Sequence, residues 1–186
     1  MRQAAHADFV DDSKATLELR NFYGFMNYRH STTPSIREWG QGAIFRFKSG
    51  YTEGPVGFGV NAIGMYGQRL DGSGRDGKPD QSRALNNYGI FPYTHGGRAE
   101  SAFGKGGLTG KMKIPKTDLH VGALQPYMPI VLTNDGRMLP QIYKGTKLSS
   151  REFDHVMLTL GRLDHTKTRA STNDATVHHG CRARFK

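Results

Sequence analysis

Two adjacent segments, Trp39–Lys48 and Val56–Tyr66, alternate apolar with polar or small residues, and Ser49-Gly50-Tyr51-Thr52-Glu53-Gly54 joins them as a short turn. In the first, Trp39, Ala43, Phe45 and Phe47 fall on one face, with Glu38, Arg46 and Lys48 on the other. In the second, Val56, Phe58, Val60 and Ala62 lie opposite Gly57, Gly59 and Asn61. A period of two predicts strands, because successive side chains point to opposite sides. A charged face backed by an aromatic face suits a wall with water on one side and lipid on the other.

The same alternation predicts five more strands. Thr16–Tyr23 sets Leu17 and Leu19 against Glu18, Arg20 and Phe22. Gly107–Ile114 sets Leu108, Met112 and Ile114 against Thr109, Lys111 and Lys113. Asp118–Leu124 sets Leu119 and Val121 against His120. Lys144–Ser149 is less regular, and His155–Leu163 places Val156, Leu158 and Leu160 opposite His155, Met157 and Thr159. Short connections (49–54, 115–117, 150–154) alternate with long ones (24–36, 67–105, 125–143). Long unstructured loops are uncommon in compact domains. A membrane barrel of the up-and-down kind explains their strict alternation with short turns at the other rim.

Composition supports an all-β chain. Among 186 residues there are 24 Gly, 10 Phe and 8 Tyr against one Trp, and no long helical pattern. No run of about 18 apolar residues occurs, which excludes a transmembrane helix but not a barrel, where only alternate residues face lipid. Ala5-His6-Ala7 has the A-x-A form that precedes signal-peptidase cleavage, without the apolar stretch expected before it. The sole cysteine, Cys181, carries no compartment signal.

The net charge of +10 is uneven: +2 over residues 1–93 and +8 over 94–186. A basic excess points to nucleic acid, an anionic surface or a path for anionic solutes. Arg20, Arg46, Lys48, Lys111 and Lys113 all fall on the non-aliphatic faces of their strands. If those faces line one lumen, the charges form a ladder for a carboxylate. The pattern alone favours solvated charges on a half-exposed sheet. Arg137 stands in the Asn134-Asp135-Gly136-Arg137 turn of the 125–143 loop, and Arg suits bidentate carboxylate binding.

Other chemistry finds little support. Gly57-Phe58-Gly59 is followed by no helix pattern, so it is no dinucleotide fingerprint. His178, His179 and Cys181 match no zinc spacing. Asp118, His120 and His155 lack a nucleophile motif. Phe45-Arg46-Phe47-Lys48 also fits single-stranded nucleic-acid binding, which leaves the loop alternation unexplained.

Several segments together resemble the OprD-type outer-membrane porins. They are Asp11–Asn21, Arg37–Gly42, Ser49–Gly54, Val56–Val60, Asp135-Gly136-Arg137 followed by Leu139-Pro140-Gln141, and Gly161–Asp164. They occur in family order over roughly residues 8–165. The resemblance implies the N-terminal portion of an antiparallel transmembrane β-barrel of roughly 16–18 strands. It implies the outer membrane of gram-negative bacteria, outer-membrane lipid as surroundings, and passive passage of small anionic or zwitterionic solutes bearing a carboxylate (amino acids, aromatic or other small acids). Arg20 matches the family's first-strand arginine, and the loop near 125–143, with Arg137, matches the one that folds inward and narrows the pore. The resemblance implies no enzymatic activity, no cofactor, no metal and no nucleic-acid partner.

The chain is therefore expected to divide into a leader remnant or N-terminal extension at 1–7, a partial barrel at 8–165 and a divergent or disordered tail at 166–186. About seven strands leave two unpaired edges, which lipid does not tolerate, so the expectation is a fragment. The competing reading is a soluble basic all-β module that binds nucleic acid or another polyanion.

Overall fold

The computed structural model describes residues 8–26, 36–73, 89–93, 99–128 and 130–177. The strands are β1 (Lys14–Met26), β2 (Ile36–Lys48), β3 (Gly57–Ser73), β4 (Ala102–Ile114), β5 (Thr117–Leu124), β6 (Tyr127–Met128), β7 (Val131–Leu132), β8 (Ile142–Ser150), β9 (Leu158–Lys167) and β10 (Ala175–Thr176). Eight of them form one sheet in the order β1-β2-β3-β4-β5-β8-β9-β10, and β6 pairs with β7 as a separate small hairpin. Every pairing is antiparallel. All seven strands expected from the alternation are present, and the meander places the short connections at one rim and the long ones at the other.

The register shows why the alternation was readable. Phe58, Met112, Leu119, Leu148 and Leu160 stand opposite one another on successive strands. They form one apolar row across the outer face. Leu17, Leu19, Phe45 and Leu108 on that face are also exposed, Leu19 by 75%. A face this apolar is unfavourable against water but ordinary against lipid.

The strands are longer than the sequence pattern suggested. β1 and β2 have 13 residues each and β3 has 17, against about 9–11 needed to cross a bilayer. β3 continues past Tyr66 to Ser73, and β4 begins at Ala102. The polar composition there reads as loop, yet the backbone stays paired, because strand ends beyond the lipid tolerate polar residues on both faces. β9 starts at Leu158, and His155, with φ 62°, turns the chain before it. The irregularity of β8 is a register shift between Lys144 and Gly145.

The hydrophobic core lies on the inner face. Ile44, Met65 and Phe103 of the wall pack with Ile90 and Phe91 from the β3–β4 connection and with Met138, Leu139 and Ile142 from the β7–β8 connection and the start of β8. Phe91 and Phe103 meet edge to face at 5.7 Å. Gly40 makes room, since a Cβ there would lie 2.4 Å from Phe91 Cζ.

The stretch expected as a tail is described up to residue 177. β9 runs to Lys167, Ala170 is buried, and β10 pairs with His165 and Thr166. His178, His179 and Cys181 lie outside the described residues, as does the Ala5-His6-Ala7 sequence.

Candidate functional site

All five predicted strand cations lie on the inner face. Arg20 is level with Gly42, Gly67 and Phe103 across β1–β4, and Arg46 stands between Thr16 and Ile63. Lys48 stands beside Lys14 and Asn61, and Lys113 lies between Gly57 and Asp118. Lys111 belongs to a row of its own, Gly59-Lys111-His120-Lys147-Gly161. His120 and Lys147 therefore join the basic face. The sequence pattern set His120 opposite Leu119 and Val121 but did not join it to the basic row. Lys147 was hidden by the register shift in β8, which blurs the alternation around it.

The cations form two tiers of different character. In the upper tier Arg20 is heavily paired. Its Nη1 and Nη2 donate to Asp135 Oδ1 and Oδ2 at 2.6 and 3.0 Å, and its Nε donates to Glu18 Oε1 at 2.5 Å. Glu18 Oε2 also accepts from Arg46 Nη1 at 2.8 Å, so one carboxylate bridges two arginines. Arg20 Nη1 donates in addition to the Arg137 carbonyl at 3.2 Å. The Arg137 guanidinium donates to the Gly89 carbonyl. The loop carrying Asp135 and Arg137 is thus folded against the inner face and fastened both to β1 and to the β3–β4 connection.

The lower tier is less neutralised. A cavity of about 370 Å³ opens under the same loop, capped by Gln125 and Pro126 and lined by Arg46, Lys48, Asn61, Thr109, His120 and Lys147 among others; none of its lining residues is acidic. Lys111 Nζ donates to the Ser49 carbonyl at 2.5 Å and sits 4.2 Å above the Tyr51 ring, with Lys113 Nζ at 5.6 Å from the same ring. Such cation–π contacts hold the ammonium groups in place without cancelling their charge. Tyr51 donates its hydroxyl to Asp118 Oδ1 at 3.2 Å. Burial, reinforced by the Asp118 charge, pushes the Tyr51 phenol up to about 12.

This arrangement gathers arginine and lysine side chains on the inner face of the sheet. Among the described residues no group of His, Cys, Asp and Glu is arranged to hold a metal, and no helix is long and apolar enough to cross a membrane. Strands are the elements with an apolar outer face.

Comparison with known proteins places the chain and its fold in one family. The family described as "outer membrane porin, OprD family" matches residues 7–184. Porin-like protein GalP of Pseudomonas putida is 42% identical over 178 residues, which cover 94% of this chain and 40% of GalP. Porin D of Pseudomonas aeruginosa is 33% identical, covering 89% of this chain and 35% of that protein. The chain thus spans about two fifths of the curated relatives it matches. Among solved structures, Pseudomonas aeruginosa OccK9 (OpdG) superimposes with a TM-score of 0.79 at 34% identity, covering 95% of this chain and 44% of that one. Pseudomonas aeruginosa OpdK with vanillate superimposes at 0.73 and 32% identity, covering 90% and 40%. With its apolar outer face, its basic inner face and its inward loop, the chain belongs to the OprD family of outer membrane porins, which are channels and not enzymes.

Proposed function

We propose that this chain supplies part of the wall and the constriction of a channel for small carboxylate-bearing solutes, such as amino acids and aromatic or other small acids. The observation that carries the reading is the cavity under the inward loop, where Lys48 and Lys147 converge beside His120 and the Glu18-paired Arg46, with no acidic residue in the lining. An aqueous path beside low-dielectric walls focuses the field of such charges and raises the local concentration of anions. Rings of charged side chains select ions in this way. The related OpdK of Pseudomonas aeruginosa was crystallised with vanillate, a carboxylate.

The two tiers divide the work. Arg20 and Arg137 hold the loop against the inner wall. Lys48, Lys111, Lys113 and Lys147 carry charge along the lower part. Passage is passive, and the solute exchanges water for ammonium and guanidinium donors one step at a time. Binding stays weak enough for release because each cation remains partly hydrated. The porin segment runs through the wall from about residue 8 and includes β10. A polyanion-binding module in water would leave the outer leucine and phenylalanine row exposed, which disfavours that alternative.

Liposome swelling with the assembled barrel that carries this segment tests the reading. The pair Lys48→Met/Lys147→Met is expected to slow benzoate entry by roughly tenfold, the equivalent of one charge-assisted contact, and to leave a neutral sugar of similar size within about twofold. Equal slowing of both solutes would rule out a charge ladder.

A further inference from the structure

The inner wall carries a buried carboxylate that neither the ladder nor the apolar core explains. Glu38 of β2 is 2% exposed. Its Oε2 accepts from the backbone N–H of Ile90 at 2.5 Å and of Phe91 at 3.4 Å, and its Oε1 accepts from the Tyr93 hydroxyl at 2.6 Å. Among the described residues no cation pairs with it. A buried carboxylate is costly unless hydrogen bonds satisfy it. Here three donors do so, and all come from one short segment, residues 89–93, of the connection between β3 and β4.

That segment fits its place closely. Ile90 and Phe91 are 2% and 0% exposed in the lumenal core. The wall is bare where they enter: a Cβ on Gly24 would stand 2.8 Å from Ile90 Cδ1, and one on Gly40 would stand 2.4 Å from Phe91 Cζ. Gly89 is wrapped so tightly that a Cβ there would stand 2.5 Å from the Tyr93 ring and 3.0 Å from Glu38 Oε1. The N–H groups of Ile90 and Phe91 lie outside the strands, and the carboxylate accepts from both.

The segment in turn holds the constriction loop. The Gly89 carbonyl accepts from the Arg137 guanidinium, and Phe91 and Ile90 share the core with Met138 and Leu139, the two residues after Arg137. We propose that Glu38 is a positioning residue of the pore: by fastening residues 89–93 to β2 it sets where Arg137 and Asp135 stand in the solute path. The inference rests on the porin reading for its consequence, but its structural content is independent of it. The constriction loop then has two moorings, Arg20 on β1 and Glu38 on β2. The second acts at one remove, through a different connection.

Hydrogen–deuterium exchange on the assembled barrel carrying this segment, wild type against Glu38→Gln and Tyr93→Phe, tests the assignment. Glu38→Gln keeps the volume and one acceptor oxygen but removes the charge, which weakens the bonds from the two N–H groups. Tyr93→Phe removes only the outermost bond and guards against a failure of Glu38→Gln to assemble. Peptides covering 89–91 and, separately, 134–139 are expected to exchange faster together, by roughly tenfold or more in Glu38→Gln and less in Tyr93→Phe, as the loss of a hydrogen bond to a charged group requires. Peptides of β8 are expected to be unchanged. Faster exchange at 89–91 with no change at 134–139 would overturn the positioning role, and so would no change at either. In planar bilayers the same variants are expected to show noisier current and a carboxylate preference reduced at least about threefold. Wild-type barrels that do not conduct would overturn the porin reading, while the exchange data would still decide whether Glu38 moors the loop.

Discussion

Arg20 and Asp135, 115 residues apart in the chain, meet through two parallel hydrogen bonds of 2.6 and 3.0 Å. The pair ties the first strand to the inward-folded connection between β7 and β8. Bidentate geometry of this kind fixes orientation as well as distance. Arg20 is only 20% exposed but Asp135 is 50% exposed, so solvent screens the attraction. Asp135→Asn is accordingly expected to cost about 1 kcal/mol. Its larger effect is on the loop, which swings from one mooring, so single-channel conductance rises. A variant with unaltered conductance would show that the pair has no part in holding the constriction.

Glycines on the inner face admit the loops, and they do not tolerate change equally. At Gly40 a Cβ would meet the Phe91 ring and the Gln68 carbonyl, at 2.4 and 2.9 Å. Neither yields easily, and Gly40→Ala is expected to cost about 1–3 kcal/mol. At Gly67 the nearest atom is the flexible Met138 Cε at 2.5 Å, so Gly67→Ala costs less. Trp39, the only tryptophan, donates to Asn21 Oδ1 at 2.8 Å beside Gly40. Its fluorescence in a urea titration reports both variants, and the opposite order of midpoints would contradict the packing described.

Lys105 points inward from β4, is 5% exposed, and donates to the Thr168 and Arg169 carbonyls at 2.7 and 3.1 Å. It pins the turn between β9 and β10 to the wall. Lys105→Met keeps most of the volume and leaves two carbonyls without this donor, an expected loss of about 1–3 kcal/mol. Limited trypsin digestion after Lys167 and Arg169 reads this directly. Cleavage there is expected to quicken by roughly tenfold, and an unchanged rate would mean the turn is held by something else.

Tyr51 gives the lower rim an alkaline dependence. Its phenol titrates near 12 in the folded chain against 10.0 unperturbed, chiefly through burial. The folded state therefore keeps the proton longer than the unfolded one. The stability this contributes is complete below pH 10 and falls as pH rises from 10 towards 12. In a tyrosinate absorbance titration, the difference between wild type and Tyr51→Phe is expected to rise with a midpoint near 12. A midpoint at 10 would place the ring in open water.

The strands were legible because lipid on one side and water on the other enforce a period of two. Leu17, Phe58 and Leu160 are each flanked by polar or small residues, and all lie on one face of the sheet. The same rule made Arg20, Arg46, Lys48, Lys111 and Lys113 recognisable as a group. It fails where lipid ends. Gln68 and Arg69 look like loop residues yet belong to β3, since beyond the bilayer neither face need be apolar. Glu38 was legible as a member of the polar face, but not as buried, because its three donors come from residues more than 50 positions away. The Ile90-Phe91 pair inside a polar stretch was the one local sign that this connection returns to the core. Arg137 was placed in the right loop, but its partner Gly89 is a backbone carbonyl, which leaves no trace in a side-chain pattern.

The position of the core inside the barrel has a consequence for how the molecule comes apart. The outer face rests in lipid, where the paired backbone has no water to turn to and no favourable open state. Ile90, Phe91, Met138 and Leu139 are held instead by the hydrophobic effect against lumenal water, worth about 1.5–3 kcal/mol for each large side chain. Urea acts on the second and scarcely on the first. Bore and wall thus answer to different solvents, and mild denaturant would widen the pore while the cylinder around it stays intact.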